Sequence, residues 1–356
     1  MRVAHWELVA PRCPRCSLNG QADAQLELCV ATTEPELQQG MAQCPNAACG
    51  QRYPIIDGVP IIVPDIAAYL ATWLPQILER QDLGPELQGL IADSLPMADG
   101  FHSGRQYLSS YAWDGYSEFD PGLPPARRCD GSQTVALLEA MLEDEPAAAG
   151  LVLDLGCGAG RSTFELGARG PGLVLGIEQN FSFARFAQRI RMQGEVVYPL
   201  RRAGAHYEER RHSVDFPSAD RVDFWVCDAA ALPLAAGAVD QIVALNLLDA
   251  VPAPLELLTS IDRVLRPGAS AHLATPFEWR EDLTPRAGWF GGHSAHHDHE
   301  GDPIAVLKRV LAAPEYGLQG LELVAERDDI PWRMRVDDRA TTEYRNFCAV
   351  LRKRGA

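Results

Sequence analysis

The segment 151–160, which reads Leu-Val-Leu-Asp-Leu-Gly-Cys-Gly-Ala-Gly, constrains the fold of this chain more than any other. Its apolar first half is typical of a buried strand. The glycines that follow allow unusual backbone angles and let the main chain approach a ligand closely. A helix is predicted to begin near Ser162, and the unpaired N–H groups at its start would face the same ligand. The segment therefore predicts a strand, a tight turn and a helix around a nucleotide-like molecule.

Apolar strands and helical stretches alternate on both sides of this turn. The predicted strands cover 151–155, 173–177, 222–226, 239–245 and 269–274, and two more follow at 321–328 and 344–352. Such alternation is typical of a parallel sheet that helices cover on both faces. The fold class expected from the pattern is α/β, with a Rossmann-like sheet.

The length of 356 residues suggests more than one domain. Residues 1–65 hold four cysteines and a strand-like run at 53–63, which predict a small β-rich module. Residues 66–130 are expected to form a helical connector that ends in a cluster of aromatic residues. The α/β domain is expected to cover 131–356.

Two carboxylates follow predicted strands. Glu178 closes the second strand 24 residues after Asp154, where it could accept hydrogen bonds from ribose hydroxyls. Asp228 ends the third strand, where an adenine amino group could be bound. A purely structural alternative treats the glycines as a turn, Glu178 as a solvated strand end and Asp228 as a helix cap. The glycine spacing also differs from the Gly-x-Gly-x-x-Gly pattern of dinucleotide-binding folds.

Four segments, in this order and spacing, resemble the successive motifs of class I methyltransferases. They are Val152-Leu-Asp-Leu-Gly-Cys-Gly-Ala-Gly160, Gly176-Ile-Glu178, Asp228-Ala-Ala-Ala-Leu-Pro-Leu234 and Leu265-Arg-Pro-Gly268. The resemblance covers about residues 130–352. It implies a seven-stranded sheet whose last strand is antiparallel, with S-adenosylmethionine across the carboxyl ends of strands 1 and 2. The cofactor-binding residues expected from the motifs are Asp154, Gly156, Gly158, Gly160, Glu178, Asp228, Ala229 and Asn246.

The four N-terminal cysteines are spaced like metal ligands. Cys13-Pro-Arg-Cys16 and Cys44-Pro-Asn-Ala-Ala-Cys49 could place four thiolates around one structural zinc ion. Reduced, buried cysteines without a metal are the alternative, and Cys29 is a possible substitute ligand. Together with the run 50–62, these cysteines resemble the zinc-ribbon activator of the Trm type. That resemblance implies an activator fused in cis, so that no separate activator subunit is needed.

Methyl transfer from a sulfonium requires alignment of the nucleophile and, in some reactions, removal of its proton. The catalytic candidates are Asp249, after the fourth strand, Tyr111, in the aromatic segment, and His293, in a histidine-rich loop. The run 246–251 lacks Asn-Pro-Pro-Tyr, which argues against methylation of a glutamine or adenine nitrogen. The histidines of 291–301 could supply a base or bind a metal, or could simply belong to a polar loop.

The charge balance bears on the acceptor. With 48 acidic against 32 basic residues the net charge is −16, which would repel RNA unless a local patch such as the arginines of 201–211 overrides it. No apolar run is long enough for a membrane span, and the first residues do not resemble a secretion signal, so a cytoplasmic protein is expected. The expected function is methyl transfer to a small molecule or peptide. An RNA (rRNA or tRNA) methyltransferase, similar to zinc-bearing bacterial ribosomal enzymes, and a non-catalytic cofactor-binding scaffold remain alternatives.

Overall fold

A computed structural model describes residues 1–21, 24–29, 35–97, 99–318 and 320–355. In these ranges the α-helices are α1 (Val3–Val9), α2 (Pro14–Leu18), α3 (Ile66–Ile77), α4 (Pro85–Ser94), α5 (Gly100–Tyr116), α6 (Gln133–Met141), α7 (Arg161–Arg169), α8 (Phe181–Gln193), α9 (Pro254–Val264) and α10 (Pro303–Ala312). The strands are β1 (Glu27–Leu28), β2 (Gly40–Gln43), β3 (Arg52–Ile56), β4 (Val59–Ile62), β5 (Leu151–Leu155), β6 (Leu173–Ile177), β7 (Glu195–Ala203), β8 (His206–Ser213), β9 (Val222–Cys227), β10 (Val239–Leu245), β11 (Leu265–Thr275), β12 (Leu321–Arg335) and β13 (Thr341–Lys353). Among these helices, none is long and apolar enough to cross a membrane.

The α/β sheet has the order β9-β6-β5-β10-β11-β13-β12. Its first five strands are parallel, and β13 runs antiparallel between β11 and β12. Every residue of β5 is buried, and alternate side chains join two different apolar clusters, Leu153 on one face and Val152 on the other. Strands buried on both faces are the hallmark of a parallel sheet covered by helices. The expected Rossmann-like fold, with seven strands and an antiparallel last strand, is confirmed.

The N-terminal module continues this sheet. Strands β1 to β4 form an antiparallel meander, and β4 then pairs in parallel with β9 through Ile61 with Val226 and Ile62 with Cys227. In the described ranges the result is one 11-stranded sheet. The module is less purely β than the sequence indicated, because α1 and α2 precede its strands.

A polar and aromatic seam reinforces the junction between β9 and the module. Trp6 packs on Trp225 with ring centroids 5.5 Å apart, and His5 Nδ1 lies 3.1 Å from Asp223 Oδ2. Asp223 is fully buried. Burial by itself would raise the pKa of its carboxyl, but the amino group of Met1, His5 and Arg191 outweigh that effect and hold the pKa well below its usual range. Asp223 is therefore a buried anion that is neutralised by the N-terminal module together with Arg191 of α8.

We expect Asp223→Asn to lower the free energy of unfolding by about 3 kcal/mol, because the buried Met1 amino group and the Arg191 guanidinium lose their counter-charge. Urea unfolding followed by circular dichroism measures the change. Asp220→Asn is the matched control, because its exposed side chain takes no part in the seam and only its main-chain oxygen accepts bonds from Arg2 and His5. Equal unfolding midpoints for the two variants would contradict the role assigned to the seam.

Candidate active site

A cavity of about 760 Å³ opens at the carboxyl ends of the parallel strands. It is bounded by the loops that follow β5, β6, β9, β10 and β11, by α5 and by the β12–β13 arm. The structure brings most of the predicted site residues to this one cavity. Those that line it are Tyr111, Gly156, Gly158, Glu178, Asp228, Ala229, Asn246 and Asp249.

The glycine loop has two different kinds of glycine. Gly158 has a φ of 51°, and a Cβ added there would meet only the Tyr111 ring, 3.6 Å away. The absence of a side chain at Gly158 therefore leaves space in the cavity. Gly160 has a φ of 85° and lies behind the loop, where a Cβ would come within 2.6 Å of Ala187 and 2.8 Å of Phe224. Gly160 therefore permits α7 to pack closely on the sheet and does not line the cavity.

Asp154 also lies behind the loop. It is almost fully buried and accepts hydrogen bonds from the hydroxyls of Ser162 and Thr163, both 2.6 Å from its Oδ2. Burial raises the pKa of Asp154 to about 6, although the two hydroxyls lower it. Asp154 thus joins the end of β5 to the start of α7 and shapes the loop, and it does not line the cavity.

Glu178 and Asp228 both line the cavity. Glu178 accepts hydrogen bonds from the backbone N–H of Gly158 (2.9 Å) and of Asn180 (2.8 Å). Asp228 accepts one from Ala230 N at 2.9 Å and caps a short 3-10 helix. Burial raises the pKa of both carboxyls. Neither carboxyl is neutralised by a cation among the described residues that line the cavity, so both remain available to hydroxyl and amino donors of a ligand.

Comparison with protein families agrees with this geometry. Residues 153–273 match the family model described as a methyltransferase domain, and the match spans β5 to β11 with the whole glycine loop. The chain contains a methyltransferase domain. The cavity lies at the carboxyl ends of the parallel strands of this domain, where open α/β sheets bind their ligands.

Solved structures of methyltransferases resemble this chain at a distance. A Methanosarcina mazei SAM-dependent methyltransferase is 19% identical, covers 62% of this chain and 98% of its own, and has a TM-score of 0.38. A Streptomyces coelicolor A3(2) geranyl diphosphate C-methyltransferase is 15% identical, covers 69% of this chain and 87% of its own, and has a TM-score of 0.42. A chain from the complex that contains the Haloferax volcanii Trm112 methyltransferase activator is 14% identical, covers 61% of this chain and 88% of its own, and has a TM-score of 0.39. We draw nothing about substrates from structures this distant. No curated protein matches the chain in sequence.

Aromatic and acidic side chains line part of the cavity. Tyr111 lies edge-on to Phe183, with centroids 5.5 Å apart, and 6.5 Å from Trp332. Asp249 is 4% exposed and accepts a hydrogen bond from Glu278 N at 2.6 Å. Glu278 and Tyr344 also line this part, and no sequence motif marked them. The position of Glu278, just after the end of β11, is the one signal that could have suggested it.

The structure places His293 outside this cavity. His293 lines a separate surface cleft of about 300 Å³ together with Trp289, His296 and His297. Its Nε2 lies 3.2 Å from the carbonyl oxygen of Arg286, and its ring centroid is 4.5 Å from that of His297. The side chain of Asp298 lies outside the described part of the chain. The predicted role of His293 at the methyl-transfer site therefore has no support from its position.

The four predicted metal-ligand cysteines do converge. The sulfur atoms of Cys13, Cys16, Cys44 and Cys49 all lie within 4.8 Å of one another, with Cys13 to Cys49 at 3.8 Å and Cys16 to Cys44 at 3.6 Å. Thiolates 2.3 Å from one tetrahedral zinc ion would lie about 3.8 Å apart. Cys29 is exposed and does not belong to this group.

We expect Glu178→Gln to weaken S-adenosylhomocysteine binding about 10- to 100-fold, because a hydrogen bond to a charged group contributes about 1.5–3 kcal/mol. Isothermal titration calorimetry measures the affinity. Glu165→Gln is the matched control, because Glu165 pairs with Arg161 on α7 and does not line the cavity. If both variants bind as the unmodified protein does, the assignment of Glu178 fails.

Proposed function

We propose that this methyltransferase transfers the methyl group of S-adenosylmethionine to a small-molecule or peptide acceptor that enters the cavity beside Asp249. The observation that carries the proposal is the continuity of the cavity, which joins the glycine loop and its carboxylates to aromatic and acidic side chains. A cavity lined by aromatic rings and a few polar groups suits a small molecule or a single side chain.

The residues that would hold the cofactor follow from the cavity lining. Glu178 would bind the ribose hydroxyls and Asp228 the adenine amino group, while Gly156 and Gly158 allow close approach of the main chain. Asn246 has a φ of 54°, and its Oδ1 is buried without a hydrogen-bond partner among the described residues, so it is left to accept a ligand N–H. When bound, S-adenosylmethionine supplies an electrophilic methyl group.

Asp249 is the group best placed to take a proton from the acceptor. Burial raises the pKa of its carboxyl, although hydrogen bonds from its own backbone N–H, from Glu278 N and from the Thr275 hydroxyl lower it. Burial also raises the pKa of Tyr111 well above its usual range, so the phenol stays protonated at neutral pH. We therefore assign Asp249 as the base and Tyr111 as an aromatic wall of the site.

RNA is the second candidate acceptor, but three of the four arginines that suggested it are paired with carboxylates, and the fourth, Arg201, bonds the carbonyl oxygen of Gly204 at 2.9 Å. They lie on the β7–β8 hairpin, where Arg202 bonds Asp338 at 2.6 Å and Arg211 bonds Glu195 at 2.9 Å. Arg210 bonds Asp120 through two nitrogens. Ion pairs of this kind leave little unpaired positive charge to attract phosphates.

The test is transfer of labelled methyl from S-adenosylmethionine into fractionated cell extract. We expect label in the small-molecule or peptide pool, and at least about 100-fold less with Asp249→Asn, because a positioned base contributes about 10²–10⁴ in rate. S-adenosylhomocysteine affinity should be unchanged in that variant. Label confined to RNA would contradict the proposal, and binding without label in any pool would favour the non-catalytic scaffold.

We further propose that the four converging cysteines hold a structural zinc ion and that the N-terminal module acts in cis as the activator. The support is that the module and the connector contact the strand ends that carry the proposed cofactor residues. Strand β4 pairs with the end of β9, one residue before Asp228. In α3, Tyr69 donates a hydrogen bond to the carbonyl oxygen of Gln179 at 2.9 Å, and Trp73 lines the cavity. The module and connector thus brace two strand ends that hold the cofactor. The cysteines form no disulfide in the described residues, which suits the reducing cytoplasm.

We expect one zinc ion per chain by inductively coupled plasma mass spectrometry of protein purified without chelator. Cys16→Ser should lose the metal and lower the melting temperature, because a structural site contributes folding free energy directly. Cys29→Ser, which changes an exposed thiol outside the cluster, should keep both. Metal-free protein with unchanged stability would contradict the zinc assignment.

A further inference from the structure

The charges that line the cavity are strongly unbalanced. Among the described lining residues, carboxylates face a single arginine, Arg280. That guanidinium is already engaged, because it bonds the carboxylate of Asp282 at 2.5 Å and the hydroxyl of Tyr107 at 3.1 Å. With Glu178 and Asp228 assigned to the cofactor, the acceptor end keeps two carboxylates, Asp249 and Glu278, for which the lining provides no cation.

The same end is walled by aromatic rings. Trp332 lies between Tyr111 and Tyr344, with centroids 6.5 Å and 5.5 Å away. The Tyr344 hydroxyl is hydrogen-bonded to Glu278, and burial together with that carboxylate raises the pKa of Tyr344 to about 12. The phenol therefore stays protonated and donates to Glu278, which fixes the carboxylate beside the ring. Aromatic faces carry negative potential and attract cations.

The carboxylates of the buried Asp249 and the exposed Glu278, together with the aromatic faces beside them, favour a positively charged ligand. An acceptor with a carboxylate or phosphate beside its reacting atom would be repelled by Asp249 and Glu278. A neutral alcohol or phenol would gain a hydrogen bond but nothing from the net charge. An ammonium group gains from both the carboxylates and the rings.

We propose that the acceptor is an amine that arrives as an ammonium cation and is held by Trp332, Tyr344, Asp249 and Glu278. This inference rests on the proposed function and names its substrate class. The Asp249 carboxylate takes an N–H proton, and the freed nitrogen lone pair forms the new N–C bond while the S–C bond breaks. Sulfur keeps that bonding pair as the neutral thioether. The products are an N-methylammonium ion and S-adenosylhomocysteine, and the proton leaves Asp249 for solvent.

The test compares two probes of nearly equal shape, choline and 3,3-dimethylbutan-1-ol, which differ in charge at one atom. Both are titrated into the full-length protein loaded with S-adenosylhomocysteine. We expect choline to bind at least about tenfold more tightly, within the range that cation–π contacts and carboxylates contribute. Glu278→Gln should reduce that ratio several-fold. Glu281→Gln, three residues away on the same loop and paired with Arg286 outside the cavity, should leave it unchanged.

Equal binding of the two probes, or tighter binding of the alcohol, would overturn the inference. The inference would also be overturned if the preference for choline over the alcohol persisted in the Glu278→Gln and Trp332→Leu variants while these still bound S-adenosylhomocysteine. Choline would then be bound elsewhere. If the unmodified protein does not bind S-adenosylhomocysteine at all, the proposed function itself fails. Failure of the probe comparison alone leaves methyl transfer intact and removes only the amine.

Discussion

The parallel pairing of β9, β6, β5, β10 and β11 is the constraint on which the rest of this structure depends. The carboxyl ends of parallel strands all meet at one edge of the sheet, where the loops that follow them can present polar side chains to a ligand. Gly156, Glu178, Asp228 and Asn246 each follow a strand at that edge. These four residues, which line the cavity, are thus gathered by the topology although they are far apart in the chain.

The N-terminal module depends on the same sheet. An open edge at β9 would present unpaired backbone groups next to the cofactor residues, and exposed edges of this kind are usually covered. Here β4 covers it, and the buried carboxylate of Asp223 makes the covering specific, because His5 and Arg2 from the module both bond it. Through this arrangement the cysteine-bearing module contacts the strand that ends just before Asp228, which lines the cavity.

The local sequence pattern predicted the sheet well, because a short apolar run that ends at a glycine or a carboxylate is typical of a buried parallel strand and the loop that follows it. Strands 151–155, 173–177 and 239–245 lie where the sequence indicated. The β7–β8 hairpin was not foreseen, because only β7 buries alternate side chains, whereas the charged strand β8 shows no such alternation. Ion pairs with distant parts of the chain stabilise the hairpin.

At the site, too, the sequence predicted some features and missed others. Motif spacing led to Glu178 and Asp228, but it could not separate residues that line the cavity from Asp154 and Gly160, which support the loop from behind. His293 was attractive because it follows the fifth strand, yet the chain between them carries it to a different surface. Glu278 and Tyr344 line the cavity but belong to none of the four motifs, so motif spacing could not lead to them.

The most direct test of this account is a crystal structure of the full chain with S-adenosylhomocysteine. The account predicts that the adenosine lies across the carboxyl ends of β5 and β6, with its ribose on Glu178, its adenine beside Asp228 and its sulfur directed towards Asp249. A larger cavity, of about 1000 Å³, lies between the connector and the β7–β8 hairpin beside Arg105 and Tyr207. Density for the ligand in that second cavity, with the glycine loop empty, would contradict the account.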